Sequence, residues 1–552
     1  MAETTVSHLI CEALIAAGID TLYCLPGVQN DDFFDVLLDF GGAIRPVVAR
    51  HEQGAAYMAT GAALATGRPQ AYCVVPGEGV LNAAAAHATA WSVHAPVLAL
   101  HGQIATRALG KGHGLLHEVP AQGATVGAIS KHMAELRTEE EAPDQVADAL
   151  SALLHGAPRP VTIEVPMDLW SQPVRFMPGD LLRRGEGPML DRSRLADAAA
   201  ALVGAEAPLM ILGGGAHGSA GPIQALAERL SLPVTAQKQG KGALDARHPL
   251  FVPYPVGHRL WTEADVVLAV GSRLQVPEMA WGTEGDLTLI AINADGKELN
   301  RRGRTTIPLH AMAEEALPAL LEAVQEALAD RAPPDRRERL AALRTAHAAE
   351  IAGLEPSLGH LGVIREVLGE DGIFVEDLTQ VAFTGRFAYP TYKPRTYLCS
   401  GHAGTLGWGY PAALGAALAA PGRRVLSVQG DGGFLYCANE LATAVKYAVP
   451  LVALVYNDNA FGNVKRIQQT RFGANRTIAA DLSNPDFVAF AESFGALGLR
   501  TDGTTDGLHQ ALETAFDSGR PAVVEVPVAE IYPSPWPFIQ LTGGRGGGPF
   551  LV

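Results

Sequence analysis

Cysteine is scarce in this chain, and its few cysteines are not arranged in pairs. No two of them form a C-x-x-C motif, and several lie in apolar runs such as AYCVVP. An odd number of cysteines in apolar surroundings is typical of small buried side chains in a reducing compartment, not of a disulfide framework. The five are Cys11, Cys24, Cys73, Cys399 and Cys437.

Long hydrophobic runs and basic clusters are also missing. No window approaches about 18 uninterrupted apolar residues, so no transmembrane helix and no membrane partner are expected. The N-terminal segment MAETTVSHLICEALIAAG has no basic region, which predicts an amphipathic first helix and not a signal peptide. We therefore expect a soluble cytoplasmic protein. The net charge of −16 repels phosphate backbones, so no nucleic-acid partner is expected.

The chain does have the length and composition of several globular domains. Its 552 residues are 48% apolar and 18% charged. At roughly 100–200 residues per domain, this length indicates about three domains. Apolar strand-like runs, such as RPVVA, ADVVLAVG and PLVALVYN, alternate with alanine-rich helical patterns along the whole chain. Short apolar strands separated by helices are typical of parallel sheets covered on both faces.

We therefore predict three doubly wound α/β domains, over residues 1–175, 188–330 and 355–552. Two composition shifts, at residues 170–188 and 329–350, are the expected linkers, with a helix in the second. The first and third domains both end in a strand of the form P-x-V-x-x-E-V-P, which hints at one fold used twice. The glycine-rich tail TGGRGGGPFLV is expected to be mobile unless another part of the chain holds it.

The third domain contains the motif with the clearest chemistry. An apolar strand, RVLSVQ, runs into Gly430, Asp431, Gly432 and Gly433, and a helix is predicted from about Leu435 to Tyr447. The next strand, PLVALVY, ends at N-D-N, which includes Asp458. Open α/β sheets bind ligands at the edge where such strands end, and glycines there allow a phosphate to approach the backbone.

Asp431 and Asp458 are hard oxygen ligands. Together with a backbone carbonyl and diphosphate oxygens, they could complete an octahedral Mg²⁺ shell. Each piece alone is commonplace, because D-G is a common turn and N-D-N a common loop. Their occurrence together, on successive strands, is much more specific.

This segment resembles the diphosphate-and-magnesium motif of thiamine-diphosphate-dependent enzymes, which opens with GDG and closes with NN. The resemblance implies thiamine diphosphate and Mg²⁺ as cofactors, with Asp431 as the first metal ligand. The second ligand of the family's motif falls on Asp458, in place of Asn, and the carbonyl ligand falls on Ala460. The added negative charge of Asp458 should tighten metal binding while slightly opposing the diphosphate.

The resemblance covers almost the whole chain, in the order pyrimidine-binding, central Rossmann-like and diphosphate-binding domain, and is nearest to acetolactate synthase, pyruvate decarboxylase and benzaldehyde lyase. Residues 400–419 resemble the segment that bends the cofactor, with Leu406 between its rings and the Gly404 carbonyl facing its amino group. It implies that the cofactor contacts Pro26, Gly27, Glu52, Asn82, Gly404, Leu406, Gly430, Asp431, Gly432, Gly433, Asp458, Phe461, Gly462 and Asn463.

Glu52 is the predicted catalytic acid. It follows the strand RPVVA and opens a helix of small residues, where a glutamate alone would be only a partner for the helix dipole. The resemblance gives it a role, because family members place one Glu at such a junction to hydrogen-bond a pyrimidine ring nitrogen and favour the imino tautomer that activates the cofactor. In this family each cofactor lies between the first domain of one subunit and the third domain of another. A homodimer or homotetramer is therefore expected.

Substrate-side residues are expected after Gly27 and near residues 110–118. Gln29 stands where some pyruvate decarboxylases place an acid, and His117 where acetolactate synthases have Gln. A general acid–base role for His117 competes with a structural one. His113 and His117 could share a helical face and bind zinc, but H-G-L-L-H lacks the Glu of H-E-x-x-H. Val464 replaces the proton-donating Glu of simple decarboxylases, which favours transfer to a second carbonyl.

The sequence of the central domain leaves open whether it binds a nucleotide. Residues 213–218 fit G-x-G-x-x-G after a strand, but the next strand ends in Gln237 where a Rossmann site wants an acid. The stretch VPYPVGHRLW also departs from the one associated with FAD in acetolactate synthases. FAD or an ADP-type nucleotide is thus a weaker expectation than thiamine diphosphate.

The leading hypothesis is a lyase or carboligase acting on a small carbonyl substrate, either a 2-keto acid or a 2-hydroxy ketone. The alternatives are a 1,2-diketone hydrolase in which His117 activates water, a 2-hydroxyacyl-CoA lyase, and a flavin-linked oxidoreductase. A non-catalytic binding homologue is opposed by the presence of Glu52, Asp431 and Asp458 together.

Overall fold

The computed structural model describes residues 4–185, 187–329 and 331–548. In this part of the chain the strands form three parallel sheets, one in each third, and helices connect them. The predicted fold class of three doubly wound α/β domains is confirmed. No helix among these residues is long and apolar enough to cross a bilayer.

The first sheet is built from short strands, most of them buried, with helices between them. Its strands are β1 (Thr21–Cys24), β2 (Arg45–Val48), β3 (Gln70–Val74), β4 (Val97–Gln103), β5 (Met133–Glu135) and β6 (Val161–Pro166). Its helices are α1 (Val6–Ala16), α2 (Asp31–Val36), α3 (Glu52–Thr66), α4 (Glu78–Ser92), α5 (Gln122–Gly127) and α6 (Ala142–Leu154). The strand order is β2-β1-β3-β4-β6-β5.

The central sheet is smaller and has the order β11-β10-β9-β7-β8. Its strands are β7 (Pro208–Leu212), β8 (Val234–Ala236), β9 (Val266–Val270), β10 (Thr288–Asn293) and β11 (Ile307–His310). Its helices are α7 (Arg192–Gly204), α8 (Ala220–Leu230), α9 (Tyr254–Glu263), α10 (Gly296–Leu299) and α11 (Ala313–Leu328), and the predicted linker helix follows as α12 (Arg337–Ile351).

The third sheet has the order β13-β12-β14-β15-β17-β16. Its strands are β12 (Ile373–Glu376), β13 (Tyr397–Leu398), β14 (Val425–Gly430), β15 (Leu451–Asn457), β16 (Leu497–Arg500) and β17 (Ala522–Pro527). Its helices are α13 (Ser357–Leu368), α14 (Gln380–Ala388), α15 (Gly409–Ala419), α16 (Asp431–Leu435), α17 (Leu441–Lys446), α18 (Gly462–Phe472), α19 (Phe487–Ser493), α20 (Thr505–Asp517) and α21 (Trp536–Ile539).

The first and third sheets have the same topology. In each, the second strand lies at one edge and the fifth at the other, and the sixth pairs with the fourth. The two P-x-V-x-x-E-V-P segments form β6 and β17, which occupy the same place in their sheets. The hint of one fold used twice is therefore confirmed by strand order.

Helices α3 and α15 join these two domains within one chain. They cross so closely that a side chain on Gly61 would overlap the backbone of Ala412, and one on Gly415 would overlap the backbone of Met58. The small residues that gave both segments their helical pattern thus allow two helix backbones to touch. Tyr57 Oη lies 3.2 Å from Thr405 Oγ1 at the end of this contact.

The glycine-rich tail is held by the central domain. The Gly543 amide donates to Ala280 O at 2.9 Å, and the Arg545 amide donates to Trp281 O at 2.9 Å. The Arg545 guanidinium also donates to Trp261 O at 2.9 Å. The tail was expected to be mobile unless another part of the chain holds it, and these hydrogen bonds hold Gly543 and Arg545. Residues 549–552 lie outside the described part of the chain.

Candidate active site

The carboxyl ends of β14 and β15 bring acids and amides together. The strands pair in parallel with Gly430 opposite Tyr456, so Asp431 and Asp458 emerge side by side. Asn484 lies between the strand ends and donates to Asp431 Oδ2 at 2.6 Å and to Asn457 Oδ1 at 2.9 Å. The sequence analysis missed Asn484, because it follows in a loop with no motif of its own.

The helix after β14 does not have the predicted bounds. One helix was expected from about Leu435 to Tyr447, but α16 already begins at Asp431 and ends at Leu435, and α17 covers Leu441–Lys446. The backbone leaves the helical region at Cys437 (φ −135°, ψ 24°), which breaks the helix. Asp431 therefore lies in a helix's first turn, where a negative charge is favourable.

Both aspartates titrate above their ordinary range. Burial raises the pKa of Asp431, and burial together with the negative charge of Asp431 raises the pKa of Asp458 to about 6. A carboxylate whose charged form is destabilised by burial and by a neighbouring negative charge is in an environment that a bound cation relieves. Lys465 is the cation that acts on Asp458, but its ammonium is paired with Asp481 at 2.6 Å.

The donor set fits a hard cation that is shared with a second ligand. No group of three or more His, Cys, Asp or Glu side chains able to hold a metal occurs in the described ranges. Asp431, Asp458 and the Ala460 carbonyl would supply oxygen ligands, which Mg²⁺ prefers, and a bound diphosphate would complete the shell. Glycine is required beside them, because a Cβ on Gly432 would lie 2.6 Å from the Phe461 ring.

The segment before α15, which the resemblance assigns to bending the cofactor, forms a tight turn. Gly404 and Gly407 both have positive φ, 56° and 79°. Leu406 is half-buried, and its Cδ2 lies 3.5 Å from the position of a Cβ on Gly433. Asp377 anchors the segment by accepting the Gly409 amide at 2.8 Å.

Asp377 was also missed from the sequence. It follows β12, whose end carries no recognisable motif. Burial raises its pKa to about 6, and backbone amides including that of Gly409 oppose the shift.

Glu52 is the first residue of α3 and is buried. His51 caps the helix by accepting the Gln53 amide at 3.1 Å. Asn82, another predicted site residue, donates to Glu52 Oε2 at 3.1 Å, and a Cβ on Gly79 would lie 3.7 Å from Glu52 Oε1. The structure thus brings Glu52 and the start of α4 together, while their catalytic roles stay predictions.

The turn after β1 meets the same surface. A Cβ on Gly27 would lie 2.5 Å from Val75 Cγ1, so the turn that starts at exposed Pro26 packs directly against the end of β3. Gln29 is buried; its amide nitrogen donates to Leu116 O at 3.3 Å. Its Oε1 has no hydrogen-bond partner within the described residues. The structure therefore brings Gln29 into contact with the 110–118 loop, while its substrate-side role stays a prediction.

His117 lies in an irregular turn, with φ 64°. The helical face that would pair it with His113 does not exist, so the zinc interpretation is wrong. Its Nδ1 donates to Glu78 Oε2 at 3.0 Å, and this hydrogen bond lowers the pKa of Glu78. Gly77 makes the contact possible, because a Cβ there would lie 2.9 Å from the His117 carbonyl carbon. The sequence analysis assigned no role to Glu78.

Phe461, Gly462 and Asn463 begin α18 beside the two aspartates. Asn463 Oδ1 accepts from Trp536 Nε1 at 2.8 Å and from Arg466 at 2.8 Å. Val464 follows with its side chain 47% exposed. An apolar side chain therefore occupies the position at which simple decarboxylases of the family carry a proton-donating Glu.

A large cleft lies where the three domains meet, and its lining includes Gly404 and Asn463, two of the predicted cofactor contacts. Its volume is about 860 Å³, and its lining includes the glycine turn 213–215 after β7. Gln237, in the place of a Rossmann acid, accepts from Ser272 Oγ at 2.9 Å. The cleft thus has room for a large ligand but lacks the acid that would select a ribose.

Two sheets of like topology carry polar residues beyond their strand ends, Glu52 in the first and Asp431 and Asp458 in the third, which is the arrangement expected of an α/β protein that binds a small ligand there. Comparison with known proteins identifies the family. The chain belongs to the thiamine-pyrophosphate-dependent enzymes: family models for the N-terminal TPP-binding domain, the central domain and the C-terminal TPP-binding domain match residues 4–125, 195–320 and 377–526.

Similar curated proteins extend over almost the whole chain. A probable 2-ketoarginine decarboxylase of Pseudomonas aeruginosa is 34% identical, covering 95% of this chain and 94% of its own. A probable acetolactate synthase large subunit of Methanocaldococcus jannaschii is 29% identical, covering 97% and 94%. The acetolactate synthase of Bacillus subtilis is 29% identical, covering 95% and 93%. The chain is an enzyme that uses thiamine diphosphate, with activity of the lyase or transferase type.

Proposed function

We propose that the protein is a Mg²⁺-dependent C–C lyase and carboligase that takes a 2-keto acid or a 2-hydroxy ketone as donor. The observation that carries the proposal is the pair of carboxylates, buried Asp431 and half-buried Asp458, on adjacent strand ends of a thiamine-diphosphate-binding domain. Their oxygen chemistry matches Mg²⁺ and a diphosphate. The names of the similar proteins support a 2-keto acid as the donor.

Each half of the cofactor would be held by one sheet edge. Asp431, Asp458 and the Ala460 carbonyl would hold Mg²⁺ and the diphosphate, and Glu52, kept in place by Asn82, would face the pyrimidine. Thiamine diphosphate, when bound, supplies the carbon nucleophile and the electron sink for cleavage next to a carbonyl. The protein's part is to orient the donor and exclude water.

The residues at the start of α18 favour ligation over release of a free aldehyde. Val464 has no proton to give, and the nearest titratable group on the helix, Lys465, is paired with Asp481 at 2.6 Å. A donor fragment that is not protonated quickly remains available to a second carbonyl. We therefore expect coupled products to exceed free aldehyde.

His117 is proposed as the acid–base group, with Glu78 holding its ring. His117→Asn is expected to lower kcat/KM about 100-fold, in the range of general acid–base catalysis. His113→Asn, an exposed histidine in the same loop, is the matched control. If both variants lowered kcat/KM by the same small amount, His117 would have only a structural role. Loss of 1,2-diketone hydrolysis with ligation retained would instead favour the hydrolase alternative, in which His117 activates water.

The assembly is proposed to be a homodimer or a dimer of dimers. Large apolar side chains are exposed in the segments that carry both halves of the site, including Val28 (60%) and Leu116 (65%) in the first domain and Tyr436 (55%) in the third. Exposed apolar surface beside a site marks an interface. A second copy of this chain would cover both segments if each cofactor lies between two subunits.

A nucleotide in the central cleft is the second candidate. The volume of about 860 Å³ favours it, while Gln237 in place of an acid opposes it. The absorbance spectrum of the purified protein decides whether that nucleotide is a flavin, because a flavin would make the protein yellow. A colourless protein with full turnover would exclude a flavin from the reaction.

The function itself is tested by product analysis. Protein with Mg²⁺ and thiamine diphosphate is mixed with 2-keto acids, including one with a cationic side chain, and with acyloins, 1,2-diketones and 2-hydroxyacyl-CoA thioesters. Coupled products or aldehydes from 2-keto acids or acyloins would support the proposal. Turnover of thioesters alone would overturn the donor class in favour of the acyl-CoA lyase alternative.

A further inference from the structure

Glu440 is a buried carboxylate of the third domain that reaches into the first. It ends the short turn between α16 and α17, and none of its surface is exposed (0%). Its Oε1 accepts the backbone amides of Arg50 at 3.0 Å and His51 at 3.1 Å. Its Oε2 accepts the Arg50 amide at 3.2 Å and the Thr443 hydroxyl at 2.6 Å.

The two amides that Glu440 binds come directly before Glu52. Such groups, at the start of a helix, have no partner within the helix itself. The carboxylate also lies at the positive end of α3, where a negative charge is stabilised. One side chain therefore fixes the direction in which α3 begins, and so the direction in which Glu52 leaves the backbone.

The contact is closely fitted on both sides. A Cβ on Gly54 would lie 2.7 Å from the Glu440 carboxyl carbon, so glycine leaves the space that the carboxylate fills. Just after α17, Tyr447 Oη accepts the Val48 amide at 2.9 Å, and within the helix Thr443 Oγ1 lies 3.4 Å from Val48 O. The segment that follows Asp431 thus holds the whole strand–helix junction before Glu52.

We propose that Glu440 is a positioning residue for Glu52, which it aligns by holding the Arg50 and His51 amides across the domain boundary. Because Glu440 and Asp431 belong to one short segment, the segment that carries a predicted metal ligand also holds the strand–helix junction of Glu52 in its own chain. The catalytic part of this inference rests on the proposed function, while the hydrogen-bonded clamp does not.

Hydrogen exchange tests the clamp without any cofactor. In the cofactor-free protein, Glu440→Ala is expected to raise the exchange rate of the Arg50 and His51 amides at least about tenfold, because their acceptor is lost. Glu440→Gln keeps one acceptor oxygen and should retain most of the protection. Glu298→Gln, which alters a buried carboxylate of the central domain, is the control. Unchanged exchange in Glu440→Ala would overturn the proposal.

Kinetics test whether the clamp acts through Glu52. Glu440→Ala is expected to lower kcat at least about tenfold, because a small misplacement of a catalytic group is costly. The affinity for inorganic pyrophosphate with Mg²⁺ should stay within about twofold, because Asp431 and Asp458 remain. Glu440→Gln should restore most of kcat. In a Glu52→Gln background, Glu440→Ala should add at most about twofold; an equal loss in both backgrounds would refute a role through Glu52.

Gly54→Ala approaches the same contact from the first domain. It should raise exchange at Arg50 and His51 and lower kcat in the wild-type background, because the added methyl displaces the carboxylate. In the Glu440→Ala background the space is vacated, so Gly54→Ala should add no further loss. Additive losses would show that Gly54 acts elsewhere and would contradict the fitted contact. If no substrate is turned over, the exchange data still decide the clamp, so its failure and that of the proposed function are distinguishable.

Discussion

Asp431→Ala is expected to abolish Mg²⁺-dependent binding of thiamine diphosphate. Asp431 lies in the first turn of α16, beside Asp458, and its carboxylate is the acceptor that organises Asn484 at 2.6 Å. Its loss removes one of two charged oxygen ligands and the partner of that amide. We expect the affinity of the Mg²⁺–cofactor pair to fall at least about 100-fold, or about 2.7 kcal/mol.

Titration calorimetry with and without Mg²⁺ measures this effect directly. Asp517→Asn, an exposed aspartate of α20 that pairs with Arg424, serves as the matched control and should bind normally. Unchanged affinity in Asp431→Ala would refute the metal-site assignment. Asp458→Asn is the informative partner, because it restores the residue of the family motif. It should bind Mg²⁺ more weakly than the wild type and still far better than Asp431→Ala.

Much of the fold could be predicted because its signals are local. The apolar runs predicted the strands, and the small residues after Glu52 predicted α3, which begins at that residue. A parallel sheet brings successive strand ends to one edge, so the sequence alone predicted that Asp431 and Asp458 lie close together. The positions of these candidate site residues could therefore be predicted from the apolar strand runs and from the residues that follow each strand.

The parts that could not be predicted depend on distant contacts. Asn484 meets Asp431 from 53 residues away, and Glu440 meets Arg50 from 390 residues away. Periodicity reports which face of an element is apolar, but not which polar side chain crosses to another domain. The break at Cys437 could not be predicted either, because a continuous helix there would also satisfy local propensity. The break gives Glu440 its place at the end of a separate turn.

Glu52→Gln is expected to keep the fold and lose at least about 99% of turnover, at the lower end of acid–base effects of about 100- to 10,000-fold. The amide is nearly isosteric and can still accept from Asn82, now 3.1 Å from Glu52 Oε2, so α3 should start normally. What disappears is the charge that Glu52 would present to the cofactor. Cofactor affinity should change far less than kcat.

Steady-state kinetics together with circular dichroism check this outcome. Glu315→Gln is the control for an effect through the helix dipole alone. Glu315 is an exposed acid in the first turn of α11, as Glu52 is an acid in the first turn of α3. Near-normal turnover in Glu52→Gln would exclude Glu52 from catalysis. A similar loss in both variants would assign the effect to helix stability.

Mixing two inactive variants shows where the complete site lies. If each cofactor sits between the first domain of one subunit and the third domain of its partner, a dimer of Glu52→Gln with Asp431→Ala contains one site with both residues intact. Co-expression of the two chains should then recover about a quarter of wild-type turnover, because half of random dimers are mixed and half of their sites are whole. If each site were built within one chain, every site would lack one residue and no activity would return. Recovery would establish the shared site and, with it, the dimer as the smallest active unit.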